Sequence, residues 1–449
     1  MLNMRLTQLQ NKGKIFMKAT SFKNKFILIL FFFCAFSSTT QATLKTTFIA
    51  VGPYQDHSII VVSKDNGKTW LAEQLTTLPY FSSISRVSCS GSNNDVTCGL
   101  SKSNSLAMNS DNLKTWLEVK MPPYFDFSDF SCSGNGISTI CAAVGASVTD
   151  TIPGGANPVL TLSTDGGTNW SWQLPTNGSG RFTHVSCSGA DSNKFCVATG
   201  DVEDKYLIYA ITHNGKWDYT EGYSGEPWGV SCIGEREDAT CAIVGKAHDE
   251  TPYIAMLNVD KNNLDKKQIS NYQSNGYLNA ISCTGHGVTG ICTAGGKTGF
   301  LGQPGRPLLV VSTSGGDTWW VKPLSDLPLI GTFYTTNCAG AGNKAVCVAA
   351  GSKKIDDEEI PIIAVSRDGG ENWAFENVED ASYGSFLTTK CIEMGNKVIC
   401  AAAGYGKNKE DGLLAVSINN GKDWQVKEIK NLPANSGRFN SLTAYETND

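Results

Sequence analysis

Residues 181–200 read Arg-Phe-Thr-His-Val-Ser-Cys-Ser-Gly-Ala-Asp-Ser-Asn-Lys-Phe-Cys-Val-Ala-Thr-Gly, in which eight residues separate Cys187 from Cys196. The same spacing occurs seven times along the chain, and successive pairs begin 43 to 55 residues apart. A motif that recurs at such a period indicates a repeat architecture. The seven pairs are Cys89 with Cys98, Cys132 with Cys141, Cys187 with Cys196, Cys232 with Cys241, Cys283 with Cys292, Cys338 with Cys347, and Cys391 with Cys400.

The unit around residues 181–200 reads as four short strands. Residues 182–187 and 195–200 are two strand-like runs on either side of a turn rich in Gly, Asp and Asn. A third run covers residues 206–211, and Trp217 opens a fourth after a further turn. Four short strands with Gly-rich turns describe one blade of a β-propeller. The sequence therefore predicts an all-β chain of four-stranded antiparallel blades.

The two ends of the chain each hold half of an eighth unit. Residues 46–52 match the second strand of the repeat, with Phe48 at the cysteine position, and residues 437–444 match the first strand, with Ala444 at that position. We therefore predict eight blades, of which the last combines the C-terminal strand with three strands from the N-terminus. In the other seven blades the cysteine pair is predicted to join the first two strands, because opposed residues of antiparallel strands lie at a distance that suits a disulfide.

The N-terminus is typical of an export signal. A basic region without acidic residues precedes an apolar run, residues 26–36, that is too short to span a bilayer. We predict a signal peptide of residues 1–42, cleaved after Ala42; a lipoprotein would use Cys34, but the bulky residues 31–33 argue against it. The other fourteen cysteines all belong to the seven pairs, as expected for disulfides in a secreted or periplasmic protein. Their spacing, and that of the histidines, does not fit a metal site.

The exported part is predicted to be a single propeller domain, residues 43–449. It retains 31 basic and 42 acidic residues, a net charge of −11, against −5 for the whole chain. This acidity argues against nucleic acids and anionic membrane surfaces as partners, and no further apolar stretch is long enough to span a membrane. We expect a monomer without a bound cofactor. The predicted blades are approximately residues 81–125, 126–180, 181–225, 226–276, 277–331, 332–384, 385–436, and 437–449 together with 43–80.

A second motif, Ser-x-Asp-x-Gly-x-x-Trp, precedes the fourth strand of most units. Its Asp or Asn oxygen is expected to accept hydrogen bonds from the amides of the turn, its Gly to adopt positive φ, and its Trp to be buried with one N–H left for a partner. Ser314 replaces Asp in one copy, residues 214–217 are a shortened copy, and residues 258–260 are a copy without Trp. The Asp or Asn copies are Asp65 with Trp70, Asp111 with Trp116, Asp165 with Trp170, Asp368 with Trp373 and Asn419 with Trp424.

This motif resembles the Asp-box, or BNR, repeat of the sialidase-like superfamily of β-propellers, and the resemblance covers essentially all of residues 43–449. The superfamily also includes some endoglucanases, sortilin-like receptors and a photosystem assembly factor. The resemblance implies that the turns lie on outer hairpins, away from a ligand at the axis. It does not imply one activity, because fold alone does not assign function.

Propeller ligands usually bind at the axis, on the face formed by the interblade connections and the loops between second and third strands. Aromatic residues in these connections are candidate ligand contacts, because sugars present apolar C–H faces. Four that do not repeat between blades are Tyr80, Phe81, Tyr124 and Phe125, and further connections carry Tyr277, Tyr334 and Tyr383. Other aromatics recur five residues before the cysteine position and are predicted to pack between blades: Phe127, Phe182, Phe333, Phe386 and Phe439.

The run Asp356-Asp357-Glu358-Glu359 in one of these loops is compatible with two interpretations. Carboxylate oxygens are the ligands that Ca²⁺ prefers, so the run is a candidate calcium site. A solvated acidic loop explains the same residues without a metal.

The sequence does not identify a catalytic set. A sialidase needs three arginines to clamp the substrate carboxylate, and two of the six arginines after residue 42, Arg236 and Arg367, lie in or next to turns. A glycosidase needs two carboxylates about 5–10 Å apart, and no pair is singled out. We predict a secreted, non-enzymatic propeller that binds a glycan or a protein through its axial face. The alternatives are a glycoside hydrolase or lyase of the Asp-box type, acting on extracellular polysaccharide with two carboxylates facing across the axis, and an assembly factor or adhesin of the cell envelope.

Overall fold

The computed structural model describes residues 44–54, 57–75, 78, 83–147, 156–175, 179–202, 206–235, 238–408, 411–433 and 437–448. The predicted signal peptide, together with Tyr80 and Phe81, lies outside these residues. The described residues form eight β-sheets, which we call blades A to H. The described residues contain no helix long and apolar enough to cross a membrane.

The first half of the chain forms three strands of blade A and the whole of blades B to D. Blade A begins with β1 (Leu44–Tyr54), β2 (His57–Ser63) and β3 (Trp70–Gln74). Blade B contains β4 (Arg86–Ser90), β5 (Thr97–Lys102), β6 (Ser105–Asn109) and β7 (Leu117–Val119). Blade C contains β8 (Phe125–Ser133), β9 (Ile140–Ser147), β10 (Asn157–Ser163) and β11 (Ser171–Gln173). Blade D contains β12 (Gly180–Ser188), β13 (Phe195–Val202), β14 (Tyr206–His213) and β15 (Lys216–Ser224).

The second half of the chain continues the same pattern. Blade E contains β16 (Glu226–Ile233), β17 (Thr240–Lys246), β18 (Pro252–Asn258) and β19 (Asn263–Lys267). Blade F contains β20 (Ile269–Ser270), β21 (Gly276–Thr284), β22 (Ile291–Thr298), β23 (Pro307–Ser312) and β24 (Trp319–Val321). Blade G contains β25 (Gly331–Ala339), β26 (Val346–Ile355), β27 (Glu358–Ser366) and β28 (Ala374–Glu376). Blade H contains β29 (Val378–Glu379), β30 (Ser385–Met394), β31 (Lys397–Tyr405), β32 (Gly412–Ser417) and β33 (Trp424–Val426), and β34 (Ile429–Lys430) and β35 (Ser441–Asn448) return to blade A.

Each blade is an antiparallel sheet of four strands in sequential order, and the first strands of successive blades are neighbours around the axis. Blades A, F and H carry in addition a two-residue strand that pairs in parallel with the outermost strand. The sequence repeat alone does not predict these strands. They form because the connection from the preceding blade runs along this outer edge on its way to the axis, and its apolar residues Val378 and Ile429 are buried there.

The two ends of the chain close the ring in blade A. Strand β35 pairs antiparallel with β1, so the C-terminal strand is the innermost strand of a sheet whose other main strands come from the N-terminus. Phe48 lies directly opposite Ala444, which is the relation that the two cysteines have in every other blade. The predicted eight-bladed propeller and its composite blade are therefore confirmed.

Seven disulfides join the first and second strands of blades B to H, which confirms the predicted pairing. The Cα atoms within each pair lie 4.0–4.1 Å apart. This spacing is close to that of a non-hydrogen-bonded antiparallel pair, in which the side chains approach most closely. Because disulfides persist in oxidising surroundings, the bridges indicate an extracytoplasmic environment. In blade order they link Cys89 to Cys98, Cys132 to Cys141, Cys187 to Cys196, Cys232 to Cys241, Cys283 to Cys292, Cys338 to Cys347, and Cys391 to Cys400.

The hydrophobic core lies between adjacent blades. Phe386 of blade H, for example, packs in one cluster with Val348 and Ile363 of blade G. The recurring aromatics that were predicted to pack between blades are all buried: Phe127, Phe182, Phe333, Phe386 and Phe439. Their repetition therefore reflects packing and not ligand binding.

The turn motif forms the hydrogen bonds expected from its residue types. In residues 63–70, Asp65 Oδ1 accepts from the hydroxyl of Ser63 at 2.9 Å and from the amide of Thr69 at 2.9 Å, while Gly67 has φ +75°. The Trp70 Nε1–H donates to the carbonyl of Gly67 at 3.0 Å. The same indole-to-glycine bond is made by Trp170, Trp319, Trp373 and Trp424.

The shortened copy of the motif differs. Trp217 donates at 3.3 Å to the carbonyl of Thr161 in the neighbouring blade, because its abbreviated turn does not offer the same acceptor. The complete turns contact the hairpins between first and second strands; the amide of Gly369, for example, donates to the carbonyl of Ala345. They therefore lie at the end of the propeller opposite the loops between second and third strands.

A glycine four residues after the second cysteine position allows the first and second strands to approach closely. A Cβ atom there would lie 1.9–2.0 Å from a carbonyl oxygen of the first strand in blades C to H, and 1.9 Å from the carbonyl oxygen of Arg438, just before β35, in blade A. The replacement Gly351→Ala would put this atom 1.9 Å from the carbonyl oxygen of Thr332. We expect it to reduce the free energy of unfolding by about 3 kcal/mol, as for other overpacked sites.

Urea unfolding would measure this loss. Gly406→Ala is the matched control, because its Cβ would lie 3.5 Å from the nearest heavy atom, an ordinary contact. An unchanged unfolding midpoint for Gly351→Ala would contradict the close approach of the strands.

Candidate ligand-binding site

The loop face is the end of the propeller that carries the loops between second and third strands and the connections that enter the first strands. Tyr124 does recur between blades, contrary to the expectation from the sequence: Tyr124 and Tyr383 occupy the same position on this face, eight residues before the first cysteine of blades C and H. Their side chains are exposed to similar extents, 37% and 39%. Phe81 has the equivalent sequence position in blade B, but Phe81 and Tyr80 lie outside the described residues. Ligand contact by Tyr80, Phe81 and Tyr124 stays a prediction.

Phe125 differs from Tyr124 in its surroundings. Its ring is 1% exposed and makes edge-to-face contacts with Tyr124, Phe127 and Trp172 at centroid distances of 5.2, 6.1 and 5.6 Å. A buried ring cannot present a face to a ligand in this conformation. Ligand contact therefore stays a prediction for Tyr124, and the Phe125 ring packs against the Tyr124 ring and supports it.

A bulge in the first strand redirects one side chain per blade on the loop face. The extra residue lies four positions before the first cysteine in blades C to H, and bulges are a common means of re-aiming a side chain next to a binding site. In blade E it is Trp228, partly buried, and in blade G it is Tyr334, 37% exposed. Trp228 packs edge-to-face on Tyr277 of blade F with ring centroids 5.1 Å apart.

The row of aromatic rings continues into blade H. Tyr405 donates its hydroxyl to Glu359 Oε2 at 2.6 Å. Burial, and then the hydrogen bond to Glu359, raises the pKa of Tyr405, and burial with the Glu359 charge raises the pKa of Tyr334. We call Trp228, Tyr277, Tyr334, Tyr405 and Tyr383 the aromatic arc, which runs across blades E to H on the loop face.

A pocket of about 210 Å³ lies at the end of the aromatic arc, between blades G and H. It is lined by Tyr383 and Tyr405, by the carboxylates of Asp357, Glu358 and Glu359, and by Lys354 and Lys407. The Lys407 ammonium lies 4.4 Å from the centroid of the Tyr383 ring. We call this cavity the G–H pocket.

The acidic run in the G–H pocket does not converge on one point. Asp357 pairs with Lys354 at 2.6 Å, and Glu359 accepts from Tyr405. Among the described residues, no three His, Cys, Asp or Glu side chains are grouped so that they could hold a metal ion. The calcium hypothesis for Asp356-Asp357-Glu358-Glu359 stays a prediction, and the pocket does not require it.

The inner strands are tied together around the axis by side chains one residue before the cysteine position. Each accepts a hydrogen bond from the backbone amide of the next blade at 2.8–3.2 Å. The acceptors are Thr443, Ser88, Ser131, Ser186, Ser231, Ser282 and Asn337. Blade H has Lys390 at this position, and burial lowers the pKa of its ammonium group.

Two residues before that position on the inner strands, Arg86, Asp129 and His184 of blades B, C and D form a cluster of ionisable side chains. Asp129 accepts from the Arg86 Nε–H at 3.2 Å and from the amide of Val185 at 3.0 Å. At the positions one and three residues before the cysteine, Asp129 is the one carboxylate among the eight blades. The carboxylate pair expected for a hydrolase is therefore not found at these described positions.

We expect the cluster to make the stability of the fold depend on pH. Burial lowers the pKa of His184 from 6.5 to about 4, against the opposing effect of Asp129. The folded state therefore keeps His184 neutral while the unfolded state takes up a proton, and stability is lost as the pH falls from about 6.5 to about 4. We expect His184→Gln to flatten the pH dependence of the urea midpoint in this window; the same slope in both proteins would contradict it.

No family model matches the chain. No curated protein matches either. Among solved structures, YCF48 bound to D1 peptide is 13% identical with a TM-score of 0.42, covering 82% of this chain and 98% of that one. The Aleuria aurantia lectin in complex with alpha-methyl-L-fucoside is 11% identical with a TM-score of 0.36, covering 65% and 93%. An ancestral GH74 enzyme is 10% identical with a TM-score of 0.34, covering 84% and 68%. Matches this distant give no information on the ligand.

Several residues of the site were not singled out from the sequence. Trp228 was missed because its bulge position is visible only when the cysteine positions of all blades are aligned. Tyr405 and Lys407 were missed because they belong to a blade different from that of Glu359 and the acidic run. Alignment of the repeats on the cysteines would have found Trp228 and Tyr334 at one equivalent position, whereas the G–H pocket depends on the geometry between blades.

Proposed function

We propose that this chain is an exported, non-enzymatic binding protein that recognises a glycan on its loop face. The observation that carries the proposal is the aromatic arc. Trp228, Tyr334 and Tyr383 offer partly exposed rings on the loop face of blades E, G and H, and rings with a polar tip suit a partner that is apolar on one side and wet on the other. Sugars have this character, with C–H faces and hydroxyl rims.

The polar groups beside the rings support the same proposal. Glu359 and Asp357 supply acceptor oxygens, and Lys354 and Lys407 supply donors, within one pocket next to Tyr383. Binding sites combine apolar walls with a few fixed polar groups that set orientation. Because the Tyr405 hydroxyl already donates a hydrogen bond to Glu359, both side chains are held in position before a ligand binds.

The proposal also includes the family of the chain, its export and its oligomeric state. The hydrogen-bonded turns support membership of the Asp-box propellers, and the disulfides support passage through an oxidising compartment after removal of residues 1–42. A monomer suits a site that is completed within one chain. Tyr124 on blade C would extend the same recognition around the loop face.

Glycan-array screening followed by calorimetry tests the proposal. We expect the double variant Tyr334→Ala, Tyr383→Ala to bind the best glycan about 30-fold more weakly, a loss of roughly 2 kcal/mol typical of central aromatic contacts. The matched control is Trp320→Ala, which removes a 48% exposed ring from an outer strand of blade F and should leave the affinity unchanged.

Two outcomes would contradict the proposal. If the double variant and the unmodified protein bind the glycan with equal affinity, the aromatic arc does not form part of the binding site. Steady release of shortened products from a bound polysaccharide would instead support the alternative of a glycoside hydrolase or lyase.

A further inference from the structure

The G–H pocket already contains a positively charged group. Lys407, on the loop between the second and third strands of blade H, places its ammonium 4.4 Å from the centroid of the Tyr383 ring. An ammonium over an aromatic face is attracted by the electron density of the ring. The chain therefore shows with its own side chain which kind of group this wall of the pocket accepts.

The charges that surround this ammonium are mainly negative. Three carboxylates, those of Asp357, Glu358 and Glu359, line the pocket against two ammonium groups, those of Lys354 and Lys407. Lys354 is paired with Asp357 at 2.6 Å, so its charge is already matched. If the Lys407 side chain swings out, the pocket keeps a negative balance that suits a second cation in its place.

The Lys407 side chain is exposed and comes from a surface loop, whereas Glu359 beside it is held by hydrogen bonds. Glu359 accepts from Tyr405, and its carbonyl accepts from the amide of Gly384 at 2.8 Å, next to Tyr383. An exposed lysine loses little when it returns to water, because salt bridges and cation–π contacts at the surface are weak. A ligand that brings an ammonium on a rigid ring can replace it.

We propose that the G–H pocket binds the protonated amino group of an amino saccharide, in the place that the Lys407 ammonium occupies. The inference rests on the proposed glycan-binding function and names the class of sugar. The amine would lie over Tyr383 between Glu358 and Glu359, and the sugar ring would extend towards Tyr334. The acidity of the exported part, with a net charge of −11, favours approach of such a cationic glycan.

Calorimetry with glucosamine tetramer and its fully N-acetylated counterpart tests the inference, under mildly acidic conditions in which the amines are protonated. The two probes share a backbone and differ in charge. We expect the tetramer with amines to bind at least tenfold more tightly, and Glu358→Gln to remove most of that preference. Raised salt should weaken binding of the charged probe and leave the acetylated probe unaffected.

A gain of affinity distinguishes this inference from a general structural effect. Lys407→Met removes the competing ammonium and should tighten binding of the amine probe about three- to tenfold, the size expected for one cation–π contact, without changing the acetylated probe. Lys344→Met is the matched control, since Lys344 is exposed on a hairpin between first and second strands at the opposite end of blade G. It should change neither affinity.

The outcomes separate the two proposals. If both probes bind equally and Lys407→Met has no effect, the amino-group site is wrong while glycan binding stands. If neither probe binds and no other glycan binds, both proposals fail. If a lysine-containing peptide binds in the pocket and glucosamine tetramer does not, the pocket accepts an ammonium from a protein, and the amino-saccharide inference is overturned.

Discussion

Deletion of residues 437–449, which removes the whole of β35, is expected to abolish cooperative unfolding of the chain. Strand β35 supplies the inner strand of blade A and pairs with β1 over eight residues. It is also bonded to blade B, where the amide of Val87 donates to Ser441 Oγ at 3.1 Å and the amide of Cys89 to Thr443 Oγ1 at 3.2 Å. Its loss leaves β1 as an unpaired edge and opens the ring.

Thermal unfolding followed by circular dichroism, together with size-exclusion chromatography, would measure this effect. We expect the truncated chain to lack a sharp transition and to self-associate through its open edge. The control is a circular permutant that links residue 448 to Leu44 and opens the chain between Gly302 and Gln303, a loop exposed to solvent. Leu44 lies opposite Asn448, so a short linker suffices, and the permutant should fold. A truncated chain with an unaltered transition would contradict closure by both termini.

Reduction of the seven disulfides is the second change with a large expected effect. Each bridge closes a loop of about ten residues, which the chain-entropy model values at about 2.7 kcal/mol. The free energy of unfolding of a whole domain is of order 5–15 kcal/mol. We therefore expect the fully reduced protein to unfold at a far lower urea concentration than the oxidised protein, or to be unfolded without denaturant.

A single bridge can be tested without reductant. The double variant Cys338→Ala, Cys347→Ala should lower the free energy of unfolding by about 2.7 kcal/mol. In the folded state the two Cα atoms lie 4.1 Å apart, and without the bridge the unfolded chain is no longer restricted by this link. Blade A, with Phe48 opposite Ala444, shows that the ring tolerates a pair without sulfur. Equal urea midpoints for the oxidised and reduced proteins would mean that the bridges add little to stability.

Much of the fold could be predicted because its signals are local. A cysteine pair with eight intervening residues marks a hairpin whose strands oppose each other, and Phe48 and Ala444 mark the same two positions in the composite blade. The turn around Asp65 is likewise specified by hydrogen bonds within residues 63–70. The residues that make such contacts are close together in the chain, so the contacts can be predicted from a single sequence.

What the sequence left unresolved depends on contacts between blades. The two-residue strands at Val378 and Ile429 form where a connection passes the outer edge of the next sheet, and two residues give too short a pattern to detect. Phe125 was grouped with Tyr124 because adjacent residues in a connection look alike, yet one ring is buried and the other exposed. Lys407 lies in a loop and Tyr383 in the connection into the same blade. No motif in consecutive residues indicates that these two side chains come into contact.

The most direct test of the binding site is a crystal structure of the protein with glucosamine tetramer. We predict density for a sugar ring on the loop face, stacked against Tyr383 or Tyr334, with an amino group within hydrogen-bond distance of Glu358 or Glu359 and the Lys407 side chain displaced. A ligand bound instead at the opposite end of the propeller, on the hairpins between first and second strands, or on the outer strands of the blades, with the aromatic arc empty, would contradict this prediction.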